Sequence, residues 1–442
     1  MAAPMLPLPE PVHADPARLV AAHEHAAEFY RHQLLRAAGP RQYLAGRGMA
    51  VLARPHLPWR AGVDLPWRIG YAPPGWTTLV DHLTGAGFTP EELEAAGLAT
   101  RTRSNRLVDT FRDRIVLPIR DHAGRTVAFI GRAAPGAGPD APKYLNSPDS
   151  AIYHKGQTLY GLAEQHDRLQ AGWAPVLVEG PLDALAIWLA YRDSMGTGRA
   201  ALAPCGTSLT RAQAATVCTL PGTARHGVTV AFDDDTAGHA AADRAFHLLC
   251  VHHDVVLRSA GLPAGADPGD LIAHPDSAAE LRAGLTYRAR PLAEVVIDHR
   301  ITTMLARHPR LLVEIPGQVG AVRAVAPVLT RLPAPEAIRL VRYVAEATGT
   351  GIDTVTWAVL DVFDNERDAR QSDPRIRSPA GATPPHTAPT AQPATLADPL
   401  AVPTSRARRG FPLPPRPAGT PPATTGHHPV RGVISHHGGR SR

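Results

Sequence analysis

Carboxylates gather in this chain at spacings that suit phosphoryl chemistry. Glu179-Gly180-Pro181-Leu182-Asp183 and Asp233-Asp234-Asp235 each begin at the end of a short apolar run, PVLVE at 175–179 and GVTVAF at 227–232, and Asp267 and Asp270 follow in ADPGDLI. If the two runs are neighbouring parallel strands, Glu179 and the aspartates face one crevice at the carboxyl ends of a sheet, where ligands of open α/β sheets bind. Strict alternation after Phe232 sends Asp233 and Asp235 to one side and Asp234 to the other. Four or more carboxylates repel one another in a shared crevice unless cations neutralise them. Oxygen ligands left partly open suit Mg2+, which binds through a few carboxylates plus substrate phosphates. Taken singly, each acid also fits a solvated loop residue or a helix N-cap. As a set they point to metal-assisted phosphoryl transfer.

Positive charge is distributed just as unevenly. Of 46 lysines and arginines only Lys143 and Lys155 are lysine, and both lie in PKYLNSPDSAIYHKG, residues 142–156. Arginine serves everywhere else, so these two positions are expected to need a compact, mobile ammonium and not a planar fork. The net charge of +6 belongs to the tail: residues 371–442 hold nine arginines against Asp373 and Asp398, leaving one net negative charge on residues 1–370. Any nucleic-acid site on the folded part is therefore a local patch set among acids. Cys205, Cys218 and Cys250 form neither a disulfide framework nor a CxxC pair, which fits buried small residues in a reducing compartment. No apolar run approaches a membrane span and the start lacks a signal-peptide layout, so the expected location is the cytoplasm, with no membrane partner.

The elements that must position these groups follow from periodicity. A helix opens the fold near 17–35, where Leu19, Ala22, Ala26, Phe29 and Leu34 recur at helical spacing. FRDRIVLPIRDHAGRTVAFIGR, residues 111–132, reads as a hairpin turning at Asp121–Gly124. Pairing Arg120 with Arg125 brings Arg112 and Arg114 level with Arg132, on opposite faces unless a bulge intervenes. Strands near 175–179, 200–204, 227–232 and 253–258 then alternate with helices near 182–193, 210–218 and 237–250, the sign of an α/β layer with a largely parallel sheet. Residues 290–365 read as all-helical, and from about 369 Pro, Thr, Ala, Gly and Arg without periodicity read as a disordered tail.

VLVEGPLDAL and AFDDDTAG resemble the two signatures of the Toprim domain, shared by bacterial primases, topoisomerases and some nucleases. FRDRIVLPIRDHAGRTVAFIGR followed by PKYLNSPDSAIYHKGQTLYGL is similar, almost position by position, to the catalytic core of bacterial replicative DNA primases; the N-terminal helix and IGYAPPGW fit the same core. The resemblance implies a mixed α/β primase core: a flexible leader at 1–16, an N-terminal α/β subdomain at 17–165, a Toprim subdomain with a Rossmann-like sheet at 172–285, a helical C-terminal subdomain at 286–368 and the disordered tail at 369–442. It implies synthesis of short RNA primers on single-stranded DNA from ribonucleoside triphosphates. The cofactor would be Mg2+, with Mn2+ as the alternative, and a replicative helicase is a candidate partner. Carried over by position, Glu179 is a metal ligand or general base and Asp233 and Asp235 are metal ligands. Asp183 and Asp267 are supporting acids, and Asp270 is a further ligand candidate. Arg112, Arg114, Arg132, Lys143, Tyr144, Asn146 and Lys155 would hold template and nucleotide.

The chain departs from that family in places. No CxxH…CxxC zinc set is visible and no cysteine precedes Cys205, and Ala128 and Ile130 stand where the family usually has glycine. Asp234 stands where Gly or Asn is common, and Asp270 lies one residue later than in the replicative enzymes. Neither lysine sits in a GxxxxGK[ST] phosphate loop, which excludes a helicase fusion; the lysine count likewise removes lysine-adenylating ligases. The tyrosine-bearing second domain of a topoisomerase is not visible. A Toprim nuclease and a non-catalytic single-strand-binding accessory protein are the remaining alternatives.

Overall fold

A computed structural model describes residues 14–54, 67–134, 141–194, 196–206, 208–252, 255–274 and 277–372. The expected leader and tail fall almost wholly outside them.

The first part runs α1 (Pro16–Arg36), α2 (Ala38–Gly46), β1 (Gly70–Ala72), α3 (Thr78–Gly85), α4 (Pro90–Ala95), β2 (Ala99–Arg101), β3 (Leu107–Asp109), β4 (Arg114–Arg120), β5 (Thr126–Ala133) and β6 (Tyr144–Asn146). Asp15 caps α1, whose Leu19, Ala22, Ala26 and Tyr30 are buried. β1, β4, β5 and β6 form an antiparallel sheet in that order. The β4–β5 hairpin is buried on both faces: Val116 and Phe129 pack with α1, while Ile115, Leu117, Ile119 and Ile130 join the larger core. That is why its apolar run is nearly continuous.

The hairpin register differs from the expected one. Asp121 pairs with Arg125, because Gly124 at φ +77° closes a three-residue turn and Asp121 Oδ1 accepts both the Ala123 and the Arg125 N–H. A bulge between Ile119 and Arg120 then shifts the pairing once more, so Ile115 lies opposite Arg132 and Arg114 opposite Ala133. Two shifts restore the original parity, which leaves Arg114 and Arg132 on opposite faces.

The second part runs β7 (Leu159–Tyr160), α5 (His166–Gln170), β8 (Ala174–Val178), α6 (Pro181–Tyr191), β9 (Arg199–Pro204), α7 (Arg211–Cys218), α8 (Pro221–His226), β10 (Val228–Ala231), α9 (Thr236–Leu249), β11 (Leu257–Ser259), α10 (Pro268–Ile272), α11 (Ser277–Leu285) and β12 (Arg290–Pro291). The sheet order is β12-β11-β10-β8-β9-β7, with the four inner strands parallel and both edges antiparallel. The sheet therefore reaches past 172–285 on both sides, taking one edge from the segment just after the lysine stretch and the other from the head of the helical part. β8 is central, and the chain leaves it toward β9 on one side and returns through β10 on the other. This is the topological switch that opens a crevice at the strand ends.

Four helices complete the described fold: α12 (Leu292–Arg307), α13 (Ile315–Leu329), α14 (Ala334–Thr348) and α15 (Ile352–Ser372). α12 is fastened to α9 by Arg300, whose guanidinium lies 2.8 Å from Asp243. Among the described residues no helix is long and apolar enough to cross a membrane.

Candidate functional site

Ala231 pairs with Val178, so Glu179 and Phe232 leave the sheet side by side. Glu179 Oε1 accepts the backbone N–H of Asp233 at 3.1 Å, which ties the two strand ends together. Gly238 makes the approach possible: a Cβ there would lie 2.0 Å from the Asp233 carbonyl oxygen and 2.8 Å from Glu179 Oε1. Asp235 is the N-cap of α9, its Oδ1 accepting the Gly238 N–H, and Asp267 caps α10 in the same way through Asp270 N–H. Each of these caps commits one carboxylate oxygen to backbone. Asp183 sits in the first turn of α6, with its carboxylate against the backbones of Gly180 and Gly269, which favour its ionised form.

The carboxylates act on one another electrostatically. Burial, then Asp267 and Asp233, push the Asp183 carboxyl up to about 7. Asp233 is raised by burial, Asp267, Asp235 and Asp270, and Glu179 by burial, Asp233 and Asp235. In both of the latter Lys143 acts in the opposite direction, stabilising the ionised form. One of the two lysines thus faces the acids.

The other basic candidates divide. Arg132 stacks on the Tyr144 ring at 5.0 Å, and burial and Asp183 push the Tyr144 hydroxyl up, so this pair adjoins Lys143 on the acid side. Asn146 lies against Gly206 at the end of β9: Gly206 has φ +77°, and a Cβ there would meet Asn146 Nδ2 at 2.0 Å. Its Oδ1 is buried with no protein partner. Arg112 lies over Trp76 at 4.5 Å and donates to the Asp109 carbonyl, and Trp76 is 59% exposed. Arg114 is 6% exposed and turned inward, donating to the carbonyls of Gly131 and Pro142. It holds the lysine segment from behind and does not line the cleft. Lys155 is anchored toward α7, its N–H bonded to Asp149 and its carbonyl accepting from Gln213.

Arg47 was not legible in the sequence. A Cβ on Gly269 would lie 3.1 Å from Asp267 Oδ1, 3.2 Å from Arg47 Nη1 and 3.4 Å from Asp183 Oδ1, so the guanidinium stands among the acids. It gets there because Gly48 packs its backbone on Ile272 of α10, a contact with no local sequence signal. The Trp76–Arg112 pair was equally hidden, since Trp76 lies more than thirty residues upstream.

Among the described residues no three His, Cys, Asp or Glu side chains already stand in metal-holding geometry. The donor chemistry nevertheless fits a divalent cation. Asp233 raises the proton affinity of Glu179 and Asp183, Asp267 raises that of Asp183 and Asp233, and the caps at Asp235 and Asp267 leave one oxygen of each carboxylate uncommitted. Such an all-oxygen set suits a hard ion.

The family described as DNA primase catalytic core, N-terminal domain, matches residues 29–166, and the Toprim-like family matches residues 176–272. A DNA primase of Pseudomonas aeruginosa is 33% identical over 332 residues, covering 73% of this chain and 45% of that protein. A DNA primase of Mycolicibacterium smegmatis is 34% identical over 333 residues, covering 72% and 47%. The chain thus spans about half the length of the curated relatives it matches. The RNA polymerase domain of Mycobacterium tuberculosis primase DnaG, solved with double-stranded DNA, superposes with a TM-score of 0.59 at 32% identity, covering 76% of this chain and 99% of that one. A DnaG primase catalytic domain bound to single-stranded DNA gives 0.56 at 28% identity, covering 76% and 96%.

Proposed function

The chain belongs to the bacterial DNA primase catalytic-core family, and from that premise we propose that it synthesises short RNA primers on single-stranded DNA in the cytoplasm. The observation that carries the reading is the strand-end acid cluster with Lys143 facing it. Catalytic domains of both matched families work with metal ions. Here Glu179, Asp233 and Asp235 would hold Mg2+ or Mn2+, with Asp267 and Asp270 as further ligands and Asp183 behind them; bound, the ion supplies charge stabilisation at the attacking and leaving oxygens.

The chain's own residues do the rest. Lys143 offers three mobile donors to the triphosphate of an incoming ribonucleotide, and Arg132 and Arg47 add charge at the same mouth. If Glu179 serves as general base instead of as a metal ligand, its raised proton affinity suits it to take the proton of the primer 3′-hydroxyl as that oxygen attacks the α-phosphate and pyrophosphate departs. Asn146, its amide packed on Gly206 and its Oδ1 buried, would support the nucleotide site from beneath rather than by direct contact. Arg112 over exposed Trp76 forms a platform on which an unpaired template base can stack while the arginine meets phosphate. Arg114 acts through the backbone it holds, while Lys155 is itself fixed through its backbone by Asp149 and Gln213.

The test is incorporation of labelled ribonucleotides on a single-stranded template with Mg2+. RNA products supported by the wild type and absent in Asp233→Ala sustain the reading. Strand cleavage without synthesis would transfer the same acids to a nuclease, and single-strand binding with neither activity would remove the catalytic reading.

A further inference from the structure

Of the three successive aspartates, Asp234 has no role in the chemistry above, yet it is not idle. Its Oδ1 lies 3.0 Å from His239 Nε2 in the first turns of α9. The His239 ring in turn lies on that of His299 in α12, with centroids 4.3 Å apart and planes 12° from parallel. The contact closes over a groove of about 360 Å³ that runs between the ends of β10 and β11 and the side of α12, lined among others by Phe232, Asp233, Leu262 and Val295. The same two helices are fastened one turn further along by Arg300 and Asp243. The histidine stack is therefore the fastening nearest the acids.

The acid loop needs such a fastening. Asp233 and Asp235 follow a four-residue strand; Asp233 repels Glu179, Asp183 and Asp267, and Asp235 repels Glu179 and Asp233. Their inward anchors are one N–H to Glu179 and the α9 cap. Without a cation that repulsion favours an outward turn of the loop, and the groove that Asp233 lines is the space on that side. A metal role for the two histidines is not what the geometry offers: nearly parallel stacked rings point their nitrogens side by side and do not converge them on one ion.

We propose that His299 is a positioning residue: by stacking on His239, which holds Asp234, it keeps Asp233 and Asp235 turned toward the acid centre. The cost of gathering those charges is then met by the helical layer before a cation arrives, and cation affinity rises accordingly. This rests on the reading that the acids hold a divalent cation, and the experiment separates the two. Mn2+ binding to the full chain without nucleotide or DNA would be measured by the electron paramagnetic resonance signal of the free ion, for the wild type, Asp233→Ala, His299→Leu, His299→Phe and His239→Gln.

An aromatic stack contributes enough that His299→Leu should weaken Mn2+ binding about three- to tenfold. His299→Phe, which keeps a ring over His239, should bind within about twofold of the wild type. His239→Gln, which retains an amide near Asp234 but no ring, should resemble His299→Leu and covers the case in which that variant does not fold. Unchanged affinity in His239→Gln, or an equal loss in the Phe and Leu variants, overturns the positioning role while leaving the cation site standing. Wild-type Mn2+ binding by Asp233→Ala would instead remove the cation site itself.

Discussion

At the scale of the residue, Lys143 is the group whose chemistry can be isolated most cleanly. It is one of two lysines in a chain that otherwise uses arginine, and it lowers the proton affinity of both Glu179 and Asp233. A charge-assisted hydrogen bond contributes roughly 1.5–3 kcal/mol, so Lys143→Ala should lower kcat/KM for nucleotide about ten- to a hundredfold. Lys143→Arg keeps the charge but not the compact head, and should raise the nucleotide KM with a smaller loss. Steady-state kinetics read both, and a Lys143→Arg enzyme with unchanged KM would reduce the lysine pattern to codon usage. The acids and this lysine were legible because each follows or carries a local signal: a strand end or a compositional exception. Arg47 carries none. It reaches Asp183 and Asp267 through a glycine backbone contact between segments more than two hundred residues apart.

At the scale of the element, the β4–β5 hairpin shows where pattern reading stops. Its two strands and its turn follow from alternation and from Asp121–Gly124. Its register does not, because a three-residue turn and a bulge each move the pairing by one. The two shifts cancel in parity, so Arg114 and Arg132 still part to opposite faces: Arg114 goes into the sheet and bonds Gly131 and Pro142 while Arg132 stacks on Tyr144. Arg114→Met should act on stability: it leaves the buried Gly131 carbonyl and the part-buried Pro142 carbonyl short of a donor, at a cost of roughly 1–3 kcal/mol in denaturant unfolding. Its nucleotide KM should change less than that of Lys143→Ala. A variant with full stability and a large KM defect would place Arg114 in the cleft after all. The sheet edges β7 and β12 were equally beyond pattern reading, since two-residue strands have no period to detect.

At the scale of the whole molecule, the acid centre is a source of strain that pH and cations control. Glu179, Asp183 and Asp233 are all raised, Asp183 from 3.8 to about 7. A raised carboxyl keeps its proton in the fold after the unfolded chain has lost it, so its contribution favours the fold below its folded pKa and is lost as pH rises from about 4 through 7. His23, buried and held to about 4, works with the opposite sign over the same window, so the informative quantity is the difference between two variants. Metal-free Asp183→Asn should gain in melting temperature over the wild type, with a gain that grows between about pH 4 and 7, levels off above and shrinks when Mg2+ is added. A gain independent of pH and Mg2+ would mean that Asp183 is not strained by its neighbours. The order of helices and the parallel sheet were readable from the sequence because they rest on long periodic segments. The junctions between layers were not, since Arg300 with Asp243 and His239 with His299 join residues that share no period. The central claim is that the strand-end acids are the centre of RNA synthesis, and the most direct measurement is primer synthesis by Asp233→Asn on a single-stranded DNA template, with template affinity measured alongside. Synthesis should fall by about a hundredfold or more while template binding stays at the wild-type level; synthesis at the wild-type rate would contradict the account.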